Sequence, residues 1–401
     1  MFAANLFIFI TGTPAAAQTE NVLYSFGANS GDGNYPYAGL TFDHAGNLYG
    51  TTEWAGAYSS GGTVFELSPA AGGGWTEKTL YNFNPHNKGG SNPYGGVIVD
   101  AAGNLYGTAA GGGAYGYGTV FELSPQSDGT WRESTLHEFG DGNDGKAPQS
   151  TLIFDAAGNL YGNTWAGGAY TYGTAFKLTP QTGGKWSEKL LHNFGNNKDG
   201  QNPAAGLVFD TAGNLYGTTA GGGNYGHGTA FELTPKAGGA WTEAAVHEFG
   251  NSSTDAQGPY AALILDRAGN LYGTTASGGT YGGGTAFELK PKAGGGWTET
   301  ILSDFNNSGS DGAFPYGGLI FDASGNLYGT TYLGGTGVYG TVFKLTPTGS
   351  AWTETALSNF YGEGNGSKPL SGLIFDTAGN LYGTTEFGGE YGGGAVFEIT
   401  P

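Results

Sequence analysis

The chain has 401 residues, including 81 glycines, 25 tyrosines and no cysteine, and a formal net charge of −19 from 14 basic and 33 acidic side chains. So few Lys and Arg argue against nucleic acid or an anionic membrane as a partner, because no basic patch exists to release counterions. The missing cysteines exclude disulfides and thiol chemistry, and the regular aromatic and β-branched content argues against disorder.

Residues 1–17, MFAANLFIFITGTPAAA, join an apolar run to a small-residue end at Ala15, Ala16 and Ala17. This predicts a signal peptide cut before Gln18, although a basic leading region is missing. No later segment reaches the length of a transmembrane helix. The mature chain is therefore expected outside the cytoplasm, as a secreted, periplasmic or cell-surface protein, without membrane insertion and as a monomer.

From residue 18 onward the chain repeats. The pentapeptide Gly-Asn-Leu-Tyr-Gly occurs seven times, with its asparagine at Asn47, Asn104, Asn159, Asn214, Asn270, Asn326 and Asn380, at intervals of 54 to 57 residues. Such a period means one supersecondary unit copied and stacked, since a unit of that size cannot bury its own apolar faces. Residues 206–249 represent it. GLVFD and LYGTT read as a hairpin across an Asp-x-x-Gly-Asn turn, TAFELTP as a third strand ending at proline, and WTEAAVHEF as a fourth. The turn aspartates, Asp43, Asp100, Asp155, Asp210, Asp266, Asp322 and Asp376, are expected to cap backbone N–H groups.

Four antiparallel strands per repeat predict an all-β fold, a seven-bladed β-propeller occupying residues 18–401 as one domain. The chain ends in AVFEITP at 395–401, a third strand with no fourth. QTENVLYSF at 18–26 aligns with the fourth-strand segment WTEKTLYNF at 75–83. The N-terminal strand should therefore pair onto the last blade and close the ring, which removes two free sheet edges. The leading Trp of that column stands at Trp75, Trp131, Trp186, Trp241, Trp297 and Trp352 and is Gln18 in the N-terminal copy.

The column Gly-Leu-x-Phe-Asp-x-x-Gly-Asn-Leu-Tyr-Gly-Thr-Thr, followed by Gly-Gly and Gly-Thr-x-Phe-x-Leu-Thr-Pro, resembles the bacterial choice-of-anchor tandem repeat GloVer-containing proteins over nearly all of residues 18–401. The first hairpin alone is more weakly similar to the blade motif of NHL and SMP-30-like propellers. The GloVer resemblance implies a secreted or surface-exposed repeat protein with a C-terminal anchoring segment and supplies no catalytic residues. Because the sequence stops at Pro401, release or a lost C-terminus is expected instead of anchoring.

Departures from the repeat carry the functional signal. The loops after LYGTT and before GLxFD should open together around the channel mouth, where ligands bind. After LYGTT the columns read Glu53, Ala110, Trp165, Ala220, Ala276, Tyr332, Glu386 and then Trp54, Gly111, Ala166, Gly221, Ser277, Leu333, Phe387. Before GLxFD the residue after proline is Tyr37, Tyr94, Gln149, Ala204, Tyr260, Tyr316 or Leu370, and the residue before it is aromatic at Tyr35 and Phe314. Blades six, seven and one, neighbours after closure, thus gather Glu53, Trp54, Tyr332, Glu386, Phe387, Tyr35, Tyr37, Phe314 and Tyr316. Aromatic platforms interleaved with carboxylates suit sugar rings better than anions; the same side chains could equally pack the gaps between blades.

Other signals are sparse. Asp141, Asn143 and Asp144 resemble part of a calcium loop without its distal glutamate. His137, His192 and His247 share a fourth-strand column that reads as solvent-facing. Glycine strings such as GGGAYGYG precede strands, so the helix N-terminus of a nucleotide site is missing. No cofactor is expected. Three functions remain open: non-enzymatic binding of carbohydrate or another neutral polar ligand; a platform for adhesion or a cell-surface protein; and polysaccharide cleavage by Glu53 and Glu386, which neighbouring blades would hold ~9 Å apart, a spacing for inverting hydrolysis.

Overall fold

The computed structural model describes residues 19–29, 31–86, 89–196, 198–306 and 308–400. The signal-peptide reading of residues 1–17, and Gln18, lie outside these. The described residues form seven four-stranded antiparallel sheets arranged as a propeller. In the first blade the strands are Thr41–Phe42, Leu48–Thr52, Thr63–Pro69 and Trp75–Asn82, from the axis outward. The last blade takes Ile374–Phe375, Leu381–Thr385 and Ala395–Thr400 from the C-terminal end and Thr19–Ser25 from the other end as its outer strand. Thr19 faces Thr400 and Val22 faces Phe397, so the ring closes as the sequence predicts.

Local chemistry explains each hairpin. Asp43 Oδ1 accepts the Ala45 and Asn47 backbone N–H groups at 2.8 and 2.9 Å, while Oδ2 accepts from the Asn47 amide and the Tyr49 hydroxyl. Gly46 supplies the positive φ of 87° that the turn demands. The innermost strand is shorter than predicted: of GLVFD only Val208–Phe209 pairs as a strand. The residues before it serve the neighbouring blade instead. Thr51 Oγ1 donates to the Gly95 carbonyl of the next blade at 3.0 Å, Thr218 to Ala261 at 2.9 Å, and Thr384 of the last blade to Ala38 of the first at 3.0 Å.

Each blade buries itself on the next, which is why the repeat cannot fold alone. The phenylalanine that follows each outer strand packs steeply inclined against the third-strand phenylalanine of the following blade, as Phe26 does on Phe65 at 4.9 Å. Outer-strand tryptophans meet the inner tyrosine of the preceding blade, Trp75 on Tyr382 at 6.2 Å.

Two opposed sets of carboxyl groups set the pH response. Burial pushes Glu77 and Glu354 up to about 7. Burial also opposes ionisation of Asp43 and Asp376, but their turn hydrogen bonds outweigh it and hold both below the ordinary aspartate value. A raised glutamate binds its proton more tightly when folded, so its contribution is full below the unfolded value of ~4.3 and is lost as pH rises to about 7. The lowered aspartates stabilise above ~3.9 and lose that as pH falls. In chelator-containing buffer the thermal midpoint should therefore be higher near pH ~5 than near pH ~8, and should drop again below pH ~4. A Glu77→Gln, Glu354→Gln variant should show a shallower decline on the alkaline side. An unchanged slope would assign the pH dependence elsewhere.

Candidate functional site

The residue before each loop proline fixes the channel mouth. In all seven blades it takes a left-handed backbone: Tyr35, Asn92, Ala147, Asn202, Phe314 and Lys368 have φ between 53° and 61°, and Gly258 has 65°. Its carbonyl accepts the N–H of the residue following LYGTT, so Tyr35 holds Glu53 at 3.0 Å, Phe314 holds Tyr332 at 3.1 Å and Lys368 holds Glu386 at 3.2 Å. Asn and Gly adopt this conformation readily. Ala, Tyr, Phe and Lys do so at a cost of order 1–3 kcal/mol, which blades one, three, six and seven tolerate at this place. Short ladders such as Gly33–Asn34 with Trp54–Ala55 clip the same two loops together.

These hooks aim an aromatic collar around the axis. Trp165 stacks on Tyr260 with ring centres 6.4 Å apart, across the alanines of blade four. Tyr260 meets Tyr316 at 5.5 Å and Tyr316 meets Tyr332 at 5.5 Å. Glu386 follows, accepting a hydrogen bond from the Tyr37 hydroxyl at 2.7 Å. Tyr37 packs against Tyr94 at 5.4 Å, and the Tyr94 hydroxyl donates to Glu53 at 2.5 Å. Below the collar lies an axial cavity of about 270 Å³ whose wall includes Tyr94, Gln149, Ala204, Tyr260, Tyr316 and Leu370.

The two carboxyl groups sit in different surroundings. Glu386 is buried, and its Oε2 has no hydrogen-bond partner among the described residues. Burial raises its pKa, with Tyr37, Tyr332 and the Lys368 charge pulling the other way. Burial also raises Glu53; the Tyr94 bond opposes this and the Glu386 charge adds to it. Tyr332 is pushed up to about 12, chiefly by burial and then by Glu386. The Lys368 ammonium lies 5.2 Å from the Tyr332 ring centre and 5.1 Å from that of Phe387, which packs on Tyr35 at 5.1 Å.

Of the residues read from sequence, the structure brings Glu53, Glu386, Tyr37, Tyr316, Tyr332, Phe387 and Tyr35 into one contiguous group. Phe314 is half-buried and contributes its backbone hook. Trp54 is exposed, and no ring contact joins it to the collar among the described residues. Tyr94, Tyr260, Trp165 and Lys368 belong to the site although sequence reasoning left them out. The first three stood in the right columns but on blades outside the six-seven-one group. Asp141 and Asn143 are exposed. Asp144 turns away from them, its Oδ2 meeting His137 Nε2 at 3.1 Å and its Oδ1 accepting the Gly145 N–H. The histidine column is not solvent-facing: the next blade's outer strand covers it, leaving the side chains of His137, His192 and His247 only 20%, 22% and 16% exposed.

No curated protein matches this sequence. Among solved structures, a provisionally assigned 6-phosphogluconolactonase from Bacteroides uniformis superposes with a TM-score of 0.52 at 13% identity, covering 81% of this chain and 85% of that one. An ancestral GH74 enzyme gives a TM-score of 0.56 at 13% identity, covering 91% of this chain and 47% of that one. At such identity these likenesses concern the fold alone. The Gloeobacter/Verrucomicrobia repeat model matches residues 8–155, 127–320 and 213–401, nearly the whole sequence, so the chain belongs to that repeat family.

Proposed function

We propose that the collar binds a neutral, polyhydroxylated ligand of the carbohydrate class without turning it over, and that the protein does so outside the cytoplasm. The observation that carries this reading is the collar itself: a run of aromatic rings in edge-to-face contact, with Glu386 Oε2 buried beside them and without a hydrogen-bond partner among the described residues. Aromatic faces stack on the apolar face of a sugar ring, and a bare carboxylate oxygen accepts a ligand hydroxyl. The net charge of −19 disfavours anionic ligands. Export rests on residues 1–17, an apolar run ending in Ala15, Ala16 and Ala17.

The test is a neutral-glycan array probed with wild type, Tyr332→Ala and Glu386→Gln. Both variants should bind at least ~10-fold more weakly, a loss of ~1.4 kcal/mol, with little change in thermal midpoint. A wild type that retains no glycan would overturn carbohydrate binding. Retention by cell-envelope protein alone would replace it with the adhesion reading. Release of soluble fragments that Glu53→Gln, Glu386→Gln abolishes would replace it with polysaccharide cleavage.

A further inference from the structure

At three consecutive blade interfaces, on the outer strands and not at the axis, a histidine meets two carboxylates. Each histidine comes from an outer strand, the aspartate from the loop that follows it, and the glutamate from the outer strand of the next blade. The groups are His137, Asp144 and Glu188; His192, Asp199 and Glu243; and His247, Asp255 and Glu299, with one ligand atom of each residue within 4.8 Å of the others. His192 Nε2 is 2.8 Å from Asp199 Oδ2, His247 Nε2 is 3.5 Å from Glu299 Oε2, and His137 Nε2 is 3.1 Å from Asp144 Oδ2 and 3.8 Å from Glu188 Oε1.

We propose that these three clusters are binding sites for divalent transition-metal ions, zinc above all, one per interface between blades two and five. The donor set is one imidazole nitrogen with two carboxylates, which suits zinc and leaves a fourth position for water. A metal ~2.0–2.2 Å from each donor in tetrahedral array needs ligand atoms ~3.3 Å apart, and the separations above bracket that value.

Two further observations point the same way. Glu188 Oε1, His247 Nε2 and Glu299 Oε1 are shielded from solvent with no hydrogen-bond partner among the described residues. A half-buried polar atom left in that state is costly unless something coordinates it. Access is also open: His192, Asp199 and Glu243 share the wall of one surface cavity of about 370 Å³. Two of the other blades supply an internal contrast. Ser303 and Ser358 occupy the histidine column there and hydrogen-bond directly to the equivalent glutamates, Glu354 and Glu20. A neutral hydroxyl is a far weaker zinc ligand than imidazole.

That contrast provides conservative variants, since the fold already accepts serine at this position. The full chain, stripped with chelator, would be equilibrated with about 10 μM free zinc, enough to fill sites with Kd of ~1 μM, and its bound metal counted by elemental analysis. Wild type should hold three zinc ions, each of His137→Ser, His192→Ser and His247→Ser two, and the triple variant none. Calcium at the same concentration should not displace zinc. Fewer than three ions on wild type, or a count that the serine substitutions leave unchanged, would overturn the proposal. Glycan retention is read separately, so neither outcome bears on the collar.

Discussion

A chain beginning at Gly27 is expected to melt at least ~5 °C below one beginning at Thr19 and to aggregate on heating. The outer strand Thr19–Ser25 gives the last blade its fourth ladder, with partners running from Thr400 to Ala395. Phe26 behind it is fully buried, in a cluster with Leu40, Leu48, Phe65, Tyr382 and Val396 that joins the last blade to the first. Its N–H donates to Gly394 at 2.9 Å. Loss of the phenylalanine alone costs ~3–5 kcal/mol, and the exposed edge of Ala395–Thr400 adds more. A chain starting at Thr19 keeps every contact named here. Differential scanning calorimetry and light scattering on both forms make the comparison. Equal midpoints and equal solubility would show that the ring does not depend on this strand.

The second large effect concerns the glycine inside each Leu-Tyr-Gly-Thr strand. Gly217 faces Phe231 across the ladder, and a Cβ at Gly217 would stand 2.6 Å from Phe231 Cζ and 2.9 Å from Leu207 Cδ2. The phenyl ring thus occupies the space that a side chain would fill. Gly217→Ala overpacks the site and should cost ~1–3 kcal/mol. Phe231→Ala leaves a cavity in a core where the ring is completely buried and should cost ~3–5 kcal/mol. Combined, the two should cost ~1–2 kcal/mol less than their sum, because the new methyl enters the vacated space. Denaturant unfolding of the four species measures this coupling. Strict additivity would mean that the ring does not rest on the glycine.

The mouth shows where strain was accepted for position. Asn92, Asn202 and Gly258 hold the left-handed pre-proline conformation at little cost, whereas Tyr35, Ala147, Phe314 and Lys368 hold it against their own side chains. Those four belong to the blades that carry Glu53, Trp165, Tyr332 and Glu386 on the hooked loops. The correspondence supports selection for what the loops present.

The strands, the hairpins and the closure were legible in the sequence because their causes are local or periodic. Asp43 with Asn47 builds its turn within five residues, alternation and proline mark the strand ends, and complementary half-blades at 18–26 and 395–401 need each other. The aromatic and acidic character of blades six, seven and one was legible for the same reason, as departures from a column. Only the tertiary structure decided which departures meet. Curvature around the axis stacks Trp165 on Tyr260, brings Tyr94 to Glu53 and sets Lys368 between Tyr332 and Phe387. It also lays Glu299 of one blade over His247 of another, turning a column that reads as solvent-facing into a half-buried cluster. The sequence by itself determined the blade and its number. The neighbours of each side chain across blades follow from ring closure and sheet twist, which act over separations at which the chain carries no local pattern.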